Sequence, residues 1–167
     1  QVEEVYQMLL EDRDDACRHF NISKEESIDL ILATPPCQGM SKLGSMSPND
    51  VRNQLVYYAV DVIKKVKPKF ILLENVDRLL LSPAKQRGRD FGMILRSFYE
   101  NGYDVQWRVI NAGEYGLPQK RRRTYIFAYH KSTNYYKEMQ QYSDYDVTFK
   151  EGLFVKQFPI KESYESL

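Results

Sequence analysis

The chain has 167 residues, a length that suits one domain, and 43% of them are hydrophobic, which is enough to form a core. The 24 basic and 23 acidic residues give a net charge of +1, so overall charge does not indicate a nucleic-acid partner. Cys17 and Cys37 are too few for a disulfide framework, and no cysteine and histidine spacing predicts a metal site. The composition therefore predicts an intracellular protein without metal.

The first half of the chain alternates between helix and strand patterns. Helical spacing of apolar residues predicts an amphipathic helix over residues 2–13. A short apolar run over residues 28–34 predicts a buried strand, which two prolines end. The glycines and serines of residues 37–50 predict a loop, and residues 55–66 return to helical spacing. No apolar run is long enough to span a membrane, so we expect no membrane partner.

The second half continues the alternation. A second buried strand covers residues 70–73 and ends at Glu74-Asn75, and a polar loop follows over residues 82–90. The remaining predictions are a helix around residues 91–98 and strands over residues 103–111 and 123–129. This order favours an α/β fold with a largely parallel sheet. The Tyr- and Lys-rich residues 131–167 have weak periodicity, and we expect them to be a loosely packed or incomplete segment.

Cys37 is the first candidate for chemistry. Ligands of open α/β sheets bind beyond the carboxyl ends of the strands, and Cys37 follows such an end directly. Two prolines restrict the backbone before Cys37, and Gly39 permits an unusual turn after it. An accessible Cys37 thiolate would therefore be positioned to attack a substrate. The alternative is a buried small residue. We keep the interpretation of a small structural residue for Cys17, because its neighbours show none of these features.

Glu74 and the basic run near residue 120 are the other candidates. Glu74 is either a solvated strand end or a carboxyl group that shares a proton with a substrate, and Asn75 can hold its loop. The run Gln119-Lys-Arg-Arg-Arg is either a solvated turn or an import signal, or it enters a strand. In a strand, Arg121 and Arg123 would share one face and suit phosphate or planar polar groups.

Four ordered motifs resemble those of the DNA cytosine-5 methyltransferases, over about residues 28–129. Pro35-Pro-Cys37-Gln-Gly-Met-Ser41 resembles the nucleophile motif, with Met40 where the family has Phe. The other matches are Asp50-Val-Arg-Asn-Gln-Leu55, Glu74-Asn75-Val76, and Gln119-Lys-Arg121-Arg-Arg123 with the stretch from Asn111 that leads into it. The resemblance implies the Rossmann-like fold of methyltransferases that use S-adenosyl-L-methionine, present here incompletely.

The resemblance also implies roles for single residues. The Cys37 thiolate would attack a cytosine flipped out of double-stranded DNA, while Glu74 holds its ring nitrogen and amine. Arg123 would reach the carbonyl oxygen of the base, and Arg121 would order the Cys37 loop or bind a phosphate. Contacts to the substrate are expected from Gln38, Ser41, Asn75 and Gln119. Cofactor contacts are expected from Pro36, Leu55, Asn21 and Ile22, with Asn21 standing where the family has an acidic residue.

Several family features are not readable in the chain. They are the glycine loop and the acidic residue that bind the cofactor, the closing motifs, and most of the target-recognition domain. We therefore expect residues 1–130 to be a partial catalytic domain and residues 131–167 to begin a target-recognition or connecting segment. The first residue is Gln1, so the remainder of a parent chain is an expected partner, and this chain alone is expected to be inactive.

Two alternatives remain beside a bacterial, site-specific methylase of restriction–modification in the cytoplasm or nucleoid. One is a tRNA cytosine-5 methyltransferase, but the Cys-Phe-Thr tripeptide of such members is absent. The other is a non-catalytic, nucleic-acid-binding remnant. The joint presence of Cys37, Glu74 and Arg123 argues against a remnant.

Overall fold

The computed structural model describes Arg18 and residues 28–35 and 62–159. The predicted helix over residues 2–13, the loop over residues 37–50 and the start of the helix over residues 55–66 lie outside this part. Residues 62–66 are helical, as predicted, and are called α1.

Four strands form one sheet in the described part of the chain. They are β1 (Leu30–Ala33), β2 (Phe70–Val76), β3 (Tyr103–Asn111) and β4 (Arg122–His130), in the spatial order β1-β2-β4-β3. β1 and β2 are parallel, whereas β4 runs antiparallel to both of its neighbours. The predicted α/β class is confirmed, but the described sheet is mixed rather than mostly parallel. The cause is the short, helix-poor connection between β3 and β4, which reverses the chain as antiparallel neighbours allow.

Short helices and turns complete the described part of the chain. They are α2 (Arg89–Glu100), α3 (Asn134–Met139), α4 (Asp144–Asp146) and α5 (Leu153–Gln157), with 3-10 turns at Asp77–Leu81 and Ala112–Tyr115 and a π turn at Val147–Glu151. α2 confirms the predicted third helix. Gly102, at a φ of 86°, then redirects the chain into β3. A Cβ at Gly102 would lie 3.2 Å from the His130 ring, which also favours glycine there.

Each face of the sheet carries its own core. Ile71 and Leu73 of β2 point toward a core that includes Ile63 of α1 and Ile94 of α2. The second core covers the opposite face and contains Ile110, Phe127, Tyr129, Met139 and Phe154. Because Met139 and Phe154 come from α3 and α5, residues 131–159 pack against the sheet, and the expectation of a loose segment is wrong for them.

Two buried tyrosines link the sheet to its surroundings. Tyr103 is fully buried, and its hydroxyl donates a hydrogen bond of 2.6 Å to the carbonyl oxygen of Pro68. Burial raises the pKa of Tyr103 to about 12. Burial likewise raises the pKa of Tyr129, in the second core, to about 12.

These tyrosines should make the fold sensitive to alkali. An unfolded tyrosine has a pKa of about 10, so its neutral form stabilises the fold fully below that pH. This stabilisation is lost as the pH rises through the folded value of about 12. We expect the free energy of unfolding, measured by urea titration, to fall between pH 10 and pH 12.

The variant Tyr103→Phe is the matched control. It leaves the Pro68 carbonyl without its donor, so it should destabilise the protein by about 1–3 kcal/mol at pH 8. Its loss of stability with rising pH should be shallower, because one buried titrating group is gone. An equal pH dependence in the variant and the parent protein would contradict this account.

Candidate functional site

The carboxyl ends of β1 and β2 lie side by side. Ala33 is paired with Leu73 in the parallel register, so Thr34 and Pro35 continue beside Glu74 and Asn75. The Asn75 side-chain amide donates to the Pro35 carbonyl oxygen at 3.5 Å, the outer limit for such a bond. Cys37 follows two residues later and lies outside the described residues. The carboxyl ends of these two parallel strands therefore lie together as far as Pro35.

Asn75 is held entirely by backbone groups. Its side chain is only 1% exposed, and its amide oxygen accepts a hydrogen bond of 2.9 Å from the Val76 backbone N–H. With the amide nitrogen directed at Pro35, both ends of the side chain are engaged. The side chain thus connects the end of β1 to the end of β2.

Glu74 and Arg123 form an ion pair at this same end of the sheet. The Arg123 Nε atom lies 2.9 Å from Glu74 Oε1, and the side chains are 23% and 20% exposed, respectively. The antiparallel register explains the contact: Arg123 is opposite Val76, and Val76 and Glu74 point to the same face. Such partial burial strengthens the attraction relative to a fully exposed pair. A carboxylate accepts several hydrogen bonds, so Glu74 keeps acceptor sites for another molecule.

The rest of the basic run differs from its prediction. β4 begins at Arg122, so Arg121 lies in the preceding turn and does not share a strand face with Arg123. The turn is closed by hydrogen bonds from Arg121 N to Gln119 O and from Ala112 N to Arg121 O, each 3.0 Å. Gln119, Lys120 and Arg121 are exposed in the turn that leads into β4.

A second ion pair was missed by the sequence analysis. Arg122 Nε lies 3.3 Å from Asp77 Oδ2, which ties the start of β4 to the turn that follows β2. The two residues meet because of the antiparallel register of β2 and β4. That register cannot be inferred from the spacing of residues along the sequence.

The remaining predicted site residues lie outside the described part. They are Pro36, Cys37, Gln38, Ser41, Leu55, Asn21 and Ile22. Within residues 28–35 and 62–159, no group of three His, Cys, Asp or Glu side chains could hold a metal ion. No helix of the described residues is long and apolar enough to cross a membrane.

Comparison with known proteins decides the family. The model of the C-5 cytosine-specific DNA methylases matches residues 3–163. The chain belongs to this family. The membership agrees with the resemblance seen in the sequence motifs, and the match extends beyond residues 28–129 on both sides.

Two curated relatives and one solved structure are similar to parts of this chain. The Type II methyltransferase M.Sau3AI of Staphylococcus aureus is 42% identical over 138 residues, which are 80% of this chain and 34% of the relative. The Type II methyltransferase M.XorII of Xanthomonas oryzae pv. oryzae is 38% identical over 71% of this chain and 27% of its own length. The chain thus spans about a third of the length of these relatives.

The solved structure confirms the fold assignment. It is described as a DNA modification methyltransferase encoded within an E. coli prophage, and its TM-score is 0.56 at 26% identity. The likeness covers 74% of this chain and 32% of that protein. The α/β architecture is therefore that of a methyltransferase.

Removal of the Asn75 side chain tests the link between the two strand ends. Asn75→Ala leaves the partly buried Val76 N–H without its side-chain acceptor and should lower the free energy of unfolding by about 1–3 kcal/mol. Asn75→Asp keeps that acceptor but turns a carboxylate oxygen toward the Pro35 carbonyl, so we expect a larger loss. Urea titration of both variants measures the losses. Changes within about 0.5 kcal/mol, as at an ordinary surface site, would argue against the link.

Proposed function

We propose that the protein to which this chain belongs transfers a methyl group from S-adenosyl-L-methionine to carbon 5 of cytosine in double-stranded DNA. Family membership supports this reaction class, and the Type II names of the relatives support a site-specific methylase of restriction–modification. The single observation that carries the proposal is the Glu74–Arg123 pair beside the strand end that leads to Cys37. We further propose a location in the bacterial cytoplasm or at the nucleoid.

The target cytosine must leave the DNA stack, because its carbon 5 and carbon 6 are unreachable inside the duplex. The Cys37 thiolate then adds to carbon 6, and a sulfur–carbon bond forms as electron density moves into the ring. Glu74 shares a proton with ring nitrogen 3, which takes up that proton as electron density moves into the ring, and its other oxygen accepts a hydrogen bond from the exocyclic amine. Arg123 donates to the carbonyl oxygen, so a neighbouring carboxyl group and guanidinium together match the three polar groups on one edge of the base.

Completion of the reaction restores the nucleophile. When bound, the cofactor supplies the methyl group that carbon 5 accepts. A base then removes the carbon-5 proton, the electrons of that bond reform the ring double bond, and the Cys37 sulfur departs as thiolate. In this scheme the role of Asn75 is to position the Cys37 loop, because its side chain already binds the Pro35 carbonyl.

The proposal assigns the other residues by position. Pro36, Leu55, Asn21 and Ile22 contact the cofactor, while Gln38, Ser41 and Gln119 contact the substrate. Arg121, exposed in the turn before β4, binds a phosphate or orders the Cys37 loop. Residues 1–130 supply the catalytic part and residues 131–167 lead toward target recognition. Since this chain spans only about a third of the length of these relatives, we propose that it is inactive alone and acts within a longer protein.

Covalent trapping tests the nucleophile and its partner. Duplex DNA containing 5-fluorocytosine blocks the last proton removal, so a competent protein with cofactor should form an adduct that survives denaturation. Cys37→Ser should abolish the adduct. Glu74→Gln keeps the shape of the side chain but removes its charge, and should slow methyl transfer by about 10²–10⁴-fold. Gel mobility after denaturation and transfer of labelled methyl groups measure these effects.

Cys17→Ser is the matched control and should retain both the adduct and the turnover. The complete protein is the sample, and tRNA replaces the duplex in a parallel reaction. Methylation of tRNA in preference to duplex DNA would favour the tRNA alternative. DNA binding without an adduct in the unsubstituted protein would instead establish a non-catalytic remnant.

A further inference from the structure

We propose that the loop before α2 together with the first residue of α2 (residues 82–89), named here the basic loop, binds the phosphates of the DNA backbone beside the extruded base. This inference rests on the proposed function and adds a contact surface to the same site. The basic loop lies outside the four sequence motifs that indicate the family.

The position of the basic loop follows from the topology. β2 ends at Val76, and the turn Asp77–Leu81 leads directly into the loop. α2 then carries the chain to Tyr103 at the opposite end of the sheet, so the N-terminal end of α2 and the loop lie at the Glu74 end. The Asp77–Arg122 ion pair holds the preceding turn against the first residue of β4. The basic loop therefore lies at the end of the sheet where β2 finishes and where Arg123 of β4 lies.

Hydrogen bonds within the basic loop give it a defined shape. The Ser82 hydroxyl donates to the Asp90 carboxylate, and the Asp90 N–H donates to the Ser82 carbonyl at 3.2 Å. The Gln86 N–H donates to the Pro83 carbonyl at 3.0 Å, and Arg89 donates to the Gln86 side chain at 2.8 Å. Ser82 is only 4% exposed. An ordered loop loses little conformational entropy when it binds a partner.

This segment carries an excess of positive charge. Residues 77–90 contain four basic and two acidic residues, and one of the acidic side chains, Asp77, is paired with Arg122. Lys85 and Arg87 are exposed, and neither forms an ion pair with any residue that the structure describes. With Lys120 and Arg121 exposed in the turn before β4, two connections at the end of the sheet that carries Glu74 and Arg123 present exposed basic side chains. The net charge of +1 conceals this local excess.

DNA backbone phosphates are the partner that such a surface fits. An enzyme that extrudes a base must hold the flanking backbone while the stack is open. Contacts from lysine and arginine to phosphate hold the duplex without reading its sequence. The basic loop presents two such side chains, so it should contribute a salt-dependent and sequence-independent share of DNA affinity.

Charge removal from the basic loop tests the inference. In the complete protein, the double variant K85Q/R87Q should lower the affinity for mixed-sequence duplex DNA about tenfold per lost contact at 0.1 M salt. The slope of log affinity against log salt concentration should become shallower by about 1 for each contact. The loss should be equal for duplexes of different sequence, and the KM for the cofactor should stay unchanged. The charge-preserving variant K85R/R87K should retain the affinity.

The matched control is K131Q/K137Q, which removes the same charge. Lys131 follows β4 at the end of the sheet away from Glu74, and Lys137 is exposed on α3 nearby. An unchanged salt slope in K85Q/R87Q, or an equal loss in the control, would overturn the inference while methyl transfer by the unsubstituted protein still supported the proposed function. Absence of methyl transfer by the unsubstituted protein would overturn both.

Discussion

The ion pair between Glu74 and Arg123 is the interaction on which the functional account depends. It exists because β4 runs antiparallel to β2, which places Arg123 diagonally across from Glu74. The two side chains are neither fully buried nor freely solvated, so their charges are held in place and remain reachable. A carboxylate and a guanidinium fixed side by side can bind the donors and acceptors along one edge of a planar base.

The two cores keep this edge rigid. The first core packs α1 and α2 against one face of the sheet, and the second packs α3 and α5 against the other. β2 and β4, which carry Glu74, Asn75 and Arg123, are therefore supported on both faces. Asn75 extends this order to the end of β1, since its buried amide binds the carbonyl that precedes the Cys37 loop. Small displacements of catalytic groups reduce reaction rates strongly. Packing that holds these strands in place therefore matters for function.

Much of the fold was predictable because its elements carry local signals. The apolar run before Glu74 gave β2, and the spacing of Phe91, Ile94 and Phe98 gave α2. The direction of β4 was not predictable, because periodicity along one strand says nothing about which neighbour it pairs with. The packing of residues 131–159 was also missed, since α3, α4 and α5 are too short for clear periodicity.

The candidate site, like the fold, was predictable from the sequence only in part. Motif order identified Glu74, Asn75 and Arg123, and the register then showed how they meet. The Asp77–Arg122 ion pair and the location of the basic loop could not be inferred in advance. Both depend on which strands end at the same end of the sheet. The match to one family over residues 3–163 supports the reaction class, while the geometry supports the division of roles among the residues.

The most direct test is a crystal structure of the complete protein bound covalently to duplex DNA that contains 5-fluorocytosine. The account predicts an extruded base bonded to the Cys37 sulfur, with the Glu74 carboxylate within about 2.6–3.2 Å of ring nitrogen 3. Arg123 should lie at the carbonyl oxygen of the same base. A base held elsewhere, with Glu74 and Arg123 still bound only to each other, would contradict the account.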